Sequence, residues 1–157
     1  MNIFEGGCSC ERIRYRLRST PMFVHCCHCS FCQRQTGSAF AVNALIESDL
    51  VEVLADQPET VSLPTPSGAG QSVLRCPSCR VALWSHYGRV GDRVSFVRVG
   101  TLDQPHPIRP DIHIYTSTKQ SWVMLNDEVP IVDEYYEAKI FWPPDSLTRL
   151  RDAVKRA

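Results

Sequence analysis

The chain has no formal net charge: seventeen lysines and arginines face seventeen aspartates and glutamates. General attraction to nucleic acid or to an anionic membrane rests on surplus positive charge, so neither is an expected partner. No apolar run reaches the roughly 18 residues needed to cross a bilayer. The opening Met1-Asn2-Ile3-Phe4-Glu5 has no basic stretch followed by an apolar segment, so no secretory signal is visible. A reducing, cytoplasmic compartment is the expectation. No internal repeat and no convincing boundary divide the 157 residues, which read as one domain, 1–157, long enough to bury a core without disulfides.

Cysteine, by contrast, is abundant. Eight cysteines in a reducing compartment, closely spaced, bind metal more often than they cross-link. Cys27-His28-Cys29-Ser30-Phe31-Cys32 gathers three thiols, and the pairs Cys8/Cys10 and Cys76/Cys79 flank it at long range. These thiols fit two zinc ions. Cys8, Cys10, Cys76 and Cys79 make a closed four-thiolate set, which cross-links a fold, since the binding energy of such an ion is folding energy. Cys27, Cys29 and Cys32 leave one position over, and an open site can bind and activate something else.

The strand reading brings Cys8 and Cys10, and likewise Cys27 and Cys29, onto one face, while Cys76-x-x-Cys79 has the common knuckle spacing. Residues two apart on a strand point the same way, so Cys8 and Cys10 can meet one ion, as can Cys27 and Cys29 if the strand persists that far. Gly6 and Gly7 permit the unusual backbone angles a metal loop needs. A competing register, Cys26-x-x-Cys29-x-x-Cys32 with Cys76-Pro77, resembles an iron–sulfur motif. It strands Cys79 and leaves Cys8 and Cys10 without a partner pair, so the two-zinc partition is preferred. Water, an external thiol, His25, His28 or Cys26 are the candidates for the fourth position of the second site. If that position is open, three thiolates on a dication make a weak Lewis acid, favouring thiol activation over hydrolysis.

Elsewhere the patterning is β. Glu11 to Arg18 alternates Arg12, Arg14, Arg16 and Arg18 with Ile13, Tyr15 and Leu17, predicting a strand with one basic and one apolar face. Further strands are expected over 22–26, 40–46, 72–75, 81–85, 94–99 and 112–115, with a shorter ambiguous segment over 51–54. Residues 33–37 read as a tight turn or one helical turn stopped by Gly37. The Pro-, Gly- and Ser-rich stretch 57–71 reads as a surface loop or hairpin tip. After Pro143-Pro144, Asp145 or Ser146 is expected to cap a helix with Leu147, Leu150 and Val154 on one face. That stripe is expected to pack on the body or on a second subunit, leaving a homo-oligomer open. The fold class is mainly β, zinc-stabilised and antiparallel, with a short C-terminal helix.

The chain resembles the family of glutathione-dependent formaldehyde-activating enzymes, which also includes centromere protein V. The resemblance runs through Gly6-Gly7-Cys8-Ser9-Cys10, then Cys27-His28-Cys29-Ser30-Phe31-Cys32-Gln33-Arg34-Gln35-Thr36-Gly37, then Arg75-Cys76-Pro77-Ser78-Cys79. It continues through Arg98-Val99-Gly100-Thr101-Leu102, His113-Ile114-Tyr115 and Lys119-Gln120-Ser121-Trp122. It implies a tent-like β fold, a structural zinc on Cys8, Cys10, Cys76 and Cys79, and a catalytic zinc on Cys27, Cys29 and Cys32. The implied reaction joins glutathione to formaldehyde as S-hydroxymethylglutathione, a carbon–sulfur lyase reaction in its synthetic direction. Arg80 stands where the family usually has glycine, so that turn is expected to differ, and Cys26 is an additional thiol.

Other residues have plainer readings. Gln33, Arg34 and Thr36 are candidates to line the open site. The arginine row is expected to be a solvated face, and Trp122 and His113 to lie in the core. The alternative function is a non-catalytic zinc module that binds a protein or nucleic acid through the arginine-bearing strand.

Overall fold

Period-two alternation becomes two β-sheets in the computed structural model, which describes residues 3–104, 107–125 and 128–156. In chain order the strands are β1 (Phe4–Gly7), β2 (Arg14–Leu17), β3 (Phe23–Cys27), β4 (Ala41–Glu47), β5 (Val51–Ala55), β6 (Glu59–Leu63), β7 (Gln71–Arg75), β8 (Ala82–Tyr87), β9 (Gly91–Arg98) and β10 (Ile112–Ile114). A small sheet has the order β1-β2-β5, and a larger one the order β10-β3-β4-β9-β8-β7-β6. Three α-helices, α1 (Ser30–Thr36), α2 (Ala138–Phe141) and α3 (Pro144–Lys155), and three single 3-10 turns complete the set among the described residues.

Alternation on β4 shows how the layers form. Ala44 and Ile46 pack with Ile13, Tyr15 and Leu17 of the first core, beneath the small sheet. Ala41 and Leu45 point the other way, into a second core with Cys27, Cys32, Trp142 and Ala153. The larger sheet is therefore apolar on both faces, each covered by a different layer, as a half-polar sheet would not be.

The helix α3 is held down by more than apolar contact. Glu47, at the end of β4, is buried and receives Nε and Nη2 of Arg149 at 2.8 and 2.6 Å. Burial alone would raise the Glu47 carboxyl, but the Arg149 hydrogen bonds and charge outweigh it and hold it below the ordinary carboxylate range. A carboxyl depressed in the folded state stabilises above its unfolded value and loses that stabilisation as pH falls through the folded one. Glu47→Gln is thus expected to cost about 2–3 kcal/mol at neutral pH and much less at a pH below the lowered folded value, where the pair itself is gone. Urea melts of both proteins at the two pH values check this; a cost independent of pH contradicts it.

Several sequence expectations need correction. The Pro-rich stretch is a hairpin tip over 64–70 as expected, but residues 59–63 are a strand, β6, which pairs antiparallel with β7 from Glu59↔Arg75 to Leu63↔Gln71. The alternation over 11–18 forms a strand only from Arg14, because Cys8 to Ile13 is a loop whose Glu11 has φ 61°. One pairing departs from the antiparallel rule: β10 lies parallel to β3, with His113↔Cys26 and Ile114↔Cys27. Pro143, not Asp145 or Ser146, occupies the N-cap of α3, with Pro144 at the first helical position, where a missing N–H costs nothing. Val154 is exposed, and the buried Ala153 completes the inward stripe with the partly buried Leu147 and Leu150. Trp122 is 71% exposed rather than in the core; its neighbour Val123 is buried instead.

No described helix is long and apolar enough to cross a membrane. The arginine row is a surface face already matched by partners: Arg12 pairs with Asp56, Arg14 with Asp103, and Arg16 with Glu5 and Glu52. Arg18 donates to the Asp49 carbonyl.

Candidate metal centres

Cys8 and Cys10 lie in the loop between β1 and β2, not on a strand, so turn geometry rather than alternation brings them together. The preceding glycines are needed for space, not for unusual angles. A side chain at Gly6 would meet the Thr101 carbonyl oxygen at 2.5 Å, and one at Gly7 the Ile13 carbonyl oxygen at 2.4 Å. The second pair comes from the turn between β7 and β8, where Cys76 N donates to the Val81 carbonyl and Arg80 N to that of Cys76. Arg80 itself has φ 64°, the left-handed conformation that glycine adopts most readily. The turn thus keeps a glycine-type shape despite the substitution. Ion pairing to Glu59 and a hydrogen bond from Arg75 to the Arg80 carbonyl hold it there.

These two turns bring four sulfurs within 4.8 Å of one another. Cys8 and Cys10 are 3.5 Å apart, and Cys10 and Cys76 3.7 Å. A tetrahedron of sulfurs about 2.3 Å from a zinc ion has edges of about 3.8 Å, so the donor set fits that ion. The Cys79 thiol is drawn down to about 6, chiefly by the Val81 backbone N–H, which favours the thiolate a metal requires. Cys8 and Cys76 are buried in the core, Cys79 is half-buried and Cys10 exposed.

The second cluster is assembled where β3 ends and α1 begins. Cys27 is the last residue of β3, Cys29 the N-cap of α1, and Cys32 a buried residue in its first turn. The Cys29 sulfur accepts the Cys32 backbone N–H at 3.3 Å, as a serine would at this position. Gly37, at φ 65°, ends the helix by donating to the Gln33 carbonyl at 2.8 Å. All three sulfurs lie within 4.8 Å of one another. Hydrogen bonds among them set their protonation: the bond to Cys29 pushes the Cys27 thiol up, and the reciprocal bond pulls Cys29 down. At Cys32 the bond from Cys27 favours the thiolate, but the bond to Cys29, burial and the Cys29 charge outweigh it and push the thiol up to about 11, with the Arg98 charge a smaller opposing influence.

No fourth Cys, His, Asp or Glu among the described residues joins this trio. His25 is engaged elsewhere, its Nε2 2.5 Å from the Tyr136 hydroxyl, and burial pushes it down to about 3. Cys26 and His28 belong to a separate group with His113. His28 Nε2 lies 3.5 Å from the Cys26 sulfur and 3.0 Å from His113 Nδ1. This separation removes the iron–sulfur register, which needed Cys26 beside Cys29 and Cys32. His113 is only partly buried and is satisfied by His28.

The residues expected to line the site behave differently. Gln33 donates to the carbonyls of His28 and Thr118 and accepts from Gln120, so it ties α1 to residues 118–120. Thr36 caps the Cys32 carbonyl, and Arg34 is exposed. Residues not anticipated stand closer in effect. Burial raises the hydroxyls of Tyr87, Tyr115 and Tyr135, and the Cys27 charge adds to each. Tyr115 was within reach of sequence reasoning, because the alternation of Ile112 and Ile114 around His113 fixes the strand that delivers it. Tyr87 and Tyr135 carry no local signal.

Comparisons with known proteins bear on this geometry. The family model described as "Glutathione-dependent formaldehyde-activating enzyme" matches residues 3–118. Two curated relatives bear the name "Putative glutathione-dependent formaldehyde-activating enzyme". One, from Halomonas elongata, is 27% identical over 78% of this chain and 81% of its own length. The other, from Penicillium rubens, is 25% identical over 76% of this chain and 57% of its own length. A crystal structure of a Rhodobacter sphaeroides protein aligns with a TM-score of 0.51 at 16% identity, covering 82% of this chain and 99% of that one. That likeness is one of fold.

Proposed function

Because this chain belongs to the family of glutathione-dependent formaldehyde-activating enzymes, we propose that it joins a thiol, glutathione or a similar one, to formaldehyde or a related small aldehyde. The observation that carries the reading is the sulfur trio Cys27, Cys29 and Cys32, with no fourth protein ligand among the described residues. Cys8, Cys10, Cys76 and Cys79 hold one structural zinc and the trio holds a second, two per chain. When bound at the trio, zinc supplies a positive centre that keeps a thiol as its nucleophilic thiolate.

The chain's own residues do the rest. Cys27 and Cys32 are buried on β3 and α1, while the half-buried Cys29 leaves that side open to a guest. In the reaction a sulfur lone pair forms the S–C bond, the carbonyl π pair moves to oxygen, and the proton lost by the thiol ends on that oxygen. The product is an S-hydroxymethyl adduct, and the reverse direction is a carbon–sulfur lyase reaction. Burial, with the charges of Cys27 and Cys29, pushes the Tyr115 hydroxyl up and keeps it protonated. The arginine row has its carboxylates, which weakens the alternative of a nucleic-acid-binding module.

The test is turnover above the spontaneous reaction. With two zincs per chain verified, exchange between formaldehyde, glutathione and adduct, followed by NMR, is expected to quicken by ~100-fold or more over buffer. Fully loaded protein that leaves the exchange rate unchanged overturns the proposal.

A further inference from the structure

Arg98 is the one buried cation of the larger sheet that lacks a carboxylate among the described residues. It is 6% exposed, and none of the ion pairs among the described residues includes it. Its partners are neutral oxygens. Nη1 donates to Asn43 Oδ1, and Nη2 to Ser85 Oγ at 3.3 Å and Gln35 Oε1 at 3.4 Å. Nε is buried with no acceptor at all. Gln35 in turn donates to Gln71 Oε1 at 2.6 Å, which fixes the amide that faces the guanidinium.

Such a charge is expensive to bury, and a neutral side chain of similar size would fill the space at lower cost. Its position explains why a cation is kept. Arg98 is paired with Asn43 across β9 and β4, and Asn43 follows Ala41, the partner of Cys27, on the same face of β4. From above, Gln35 lies one turn after Cys32 on α1, so both project from one face of that helix. The guanidinium therefore sits under the same helix face that carries Cys32. Three thiolates around a divalent ion leave one surplus negative charge, and a guest thiolate makes it two.

We infer that Arg98 is the countercharge of the three-sulfur centre, a positioning residue that offsets the second negative charge brought by the incoming thiolate. The inference rests on the functional reading above and adds to it the group that makes room for the guest's charge. The neutral shell of Asn43, Ser85 and Gln35 keeps the arginine from being quenched within the protein.

Thiol binding to the cobalt(II)-substituted protein, read from sulfur-to-cobalt charge-transfer absorption at fixed pH, tests it. The probe is 2-mercaptoethanol, whose only ionisable group is the thiol. Arg98→Gln is expected to weaken binding roughly ten-fold, and Arg98→Lys by no more than about three-fold. Gln35→Glu keeps the shape but sets a carboxylate against Nη2, and is expected to match Arg98→Gln even if the latter folds poorly. The absorption of the Cys8/Cys10/Cys76/Cys79 cluster stays unchanged in all three. Wild-type affinity in both Arg98→Gln and Gln35→Glu overturns the inference, as does an effect on glutathione without one on 2-mercaptoethanol, which would assign Arg98 to the peptide's carboxylates. A wild-type spectrum that responds to no thiol overturns the functional reading itself, and this inference with it.

Discussion

Cys76→Ala is expected to lose about one zinc per chain and to lower the melting temperature by on the order of 10 °C or more. The Cys76 side chain is fully buried in the core that also holds Cys8, Ile13 and Leu83. It is the sulfur that stands 3.7 Å from Cys10, so it joins the β1–β2 loop to the β7–β8 turn. Removing it leaves a small cavity, which alone costs little, and a three-sulfur remnant. The larger effect is through the ion. Structural zinc contributes about 10–16 kcal/mol of apparent binding energy, while whole domains are stable by only about 5–15. Even a fraction of that loss is large against the total. Thermal unfolding with metal analysis on the same sample checks it, and a variant with normal zinc and normal melting would show that the four sulfurs hold no structural ion.

Cys29→Ser is expected to do the opposite: keep the fold and lose the chemistry. Serine is among the best N-cap residues, so it can accept the Cys32 N–H that the Cys29 sulfur accepts now, and α1 survives. Against wild type whose trio is likewise metal-free, stability should change by no more than about 1 kcal/mol. A hydroxyl is a far poorer zinc ligand than a thiolate, however. Changes in groups that merely orient a ligand weaken metal sites by about 10–100-fold, so replacing a ligand should exceed that. Thiol–aldehyde exchange is expected to fall to the background rate while the Cys8/Cys10/Cys76/Cys79 site stays loaded. Full turnover with both metals retained would remove the trio from the reaction.

The contrast between these two variants follows from spacing that sequence alone discloses. Two pairs and a trio of cysteines in this order are rarely accidental, and alternation identifies β4, β7, β8 and β9 within a residue or two at most ends. What alternation misjudges is local backbone. Cys8 and Cys10 share a site through a turn rather than by alternation, because residues 8–13 form the loop between β1 and β2 and no strand carries them. Composition hides β6, whose Glu59–Leu63 run is a surface strand with alternating exposure flanked by breakers. Trp122 misleads in another way, since a large aromatic beside Val123 looks like core, yet only the valine turns inward. The neighbours of Arg98 and Tyr135 were out of reach for a different reason: they depend on which strands and loops meet across the sheet, and parallel pairing of β10 has no signature in either strand.

That parallel pairing also orders events as the polypeptide leaves the ribosome. All four sulfurs of the Cys8/Cys10/Cys76/Cys79 cluster have emerged once the β7–β8 turn is out, whereas β10 and α3 come later. The backbone between Cys27 and Cys29 is pinned by the hydrogen bond from His28 N to the Ile114 carbonyl, and α3 covers the same core still later. A nascent chain can thus bring the four sulfurs of the first cluster together before the strand that pins the backbone of the second has been made.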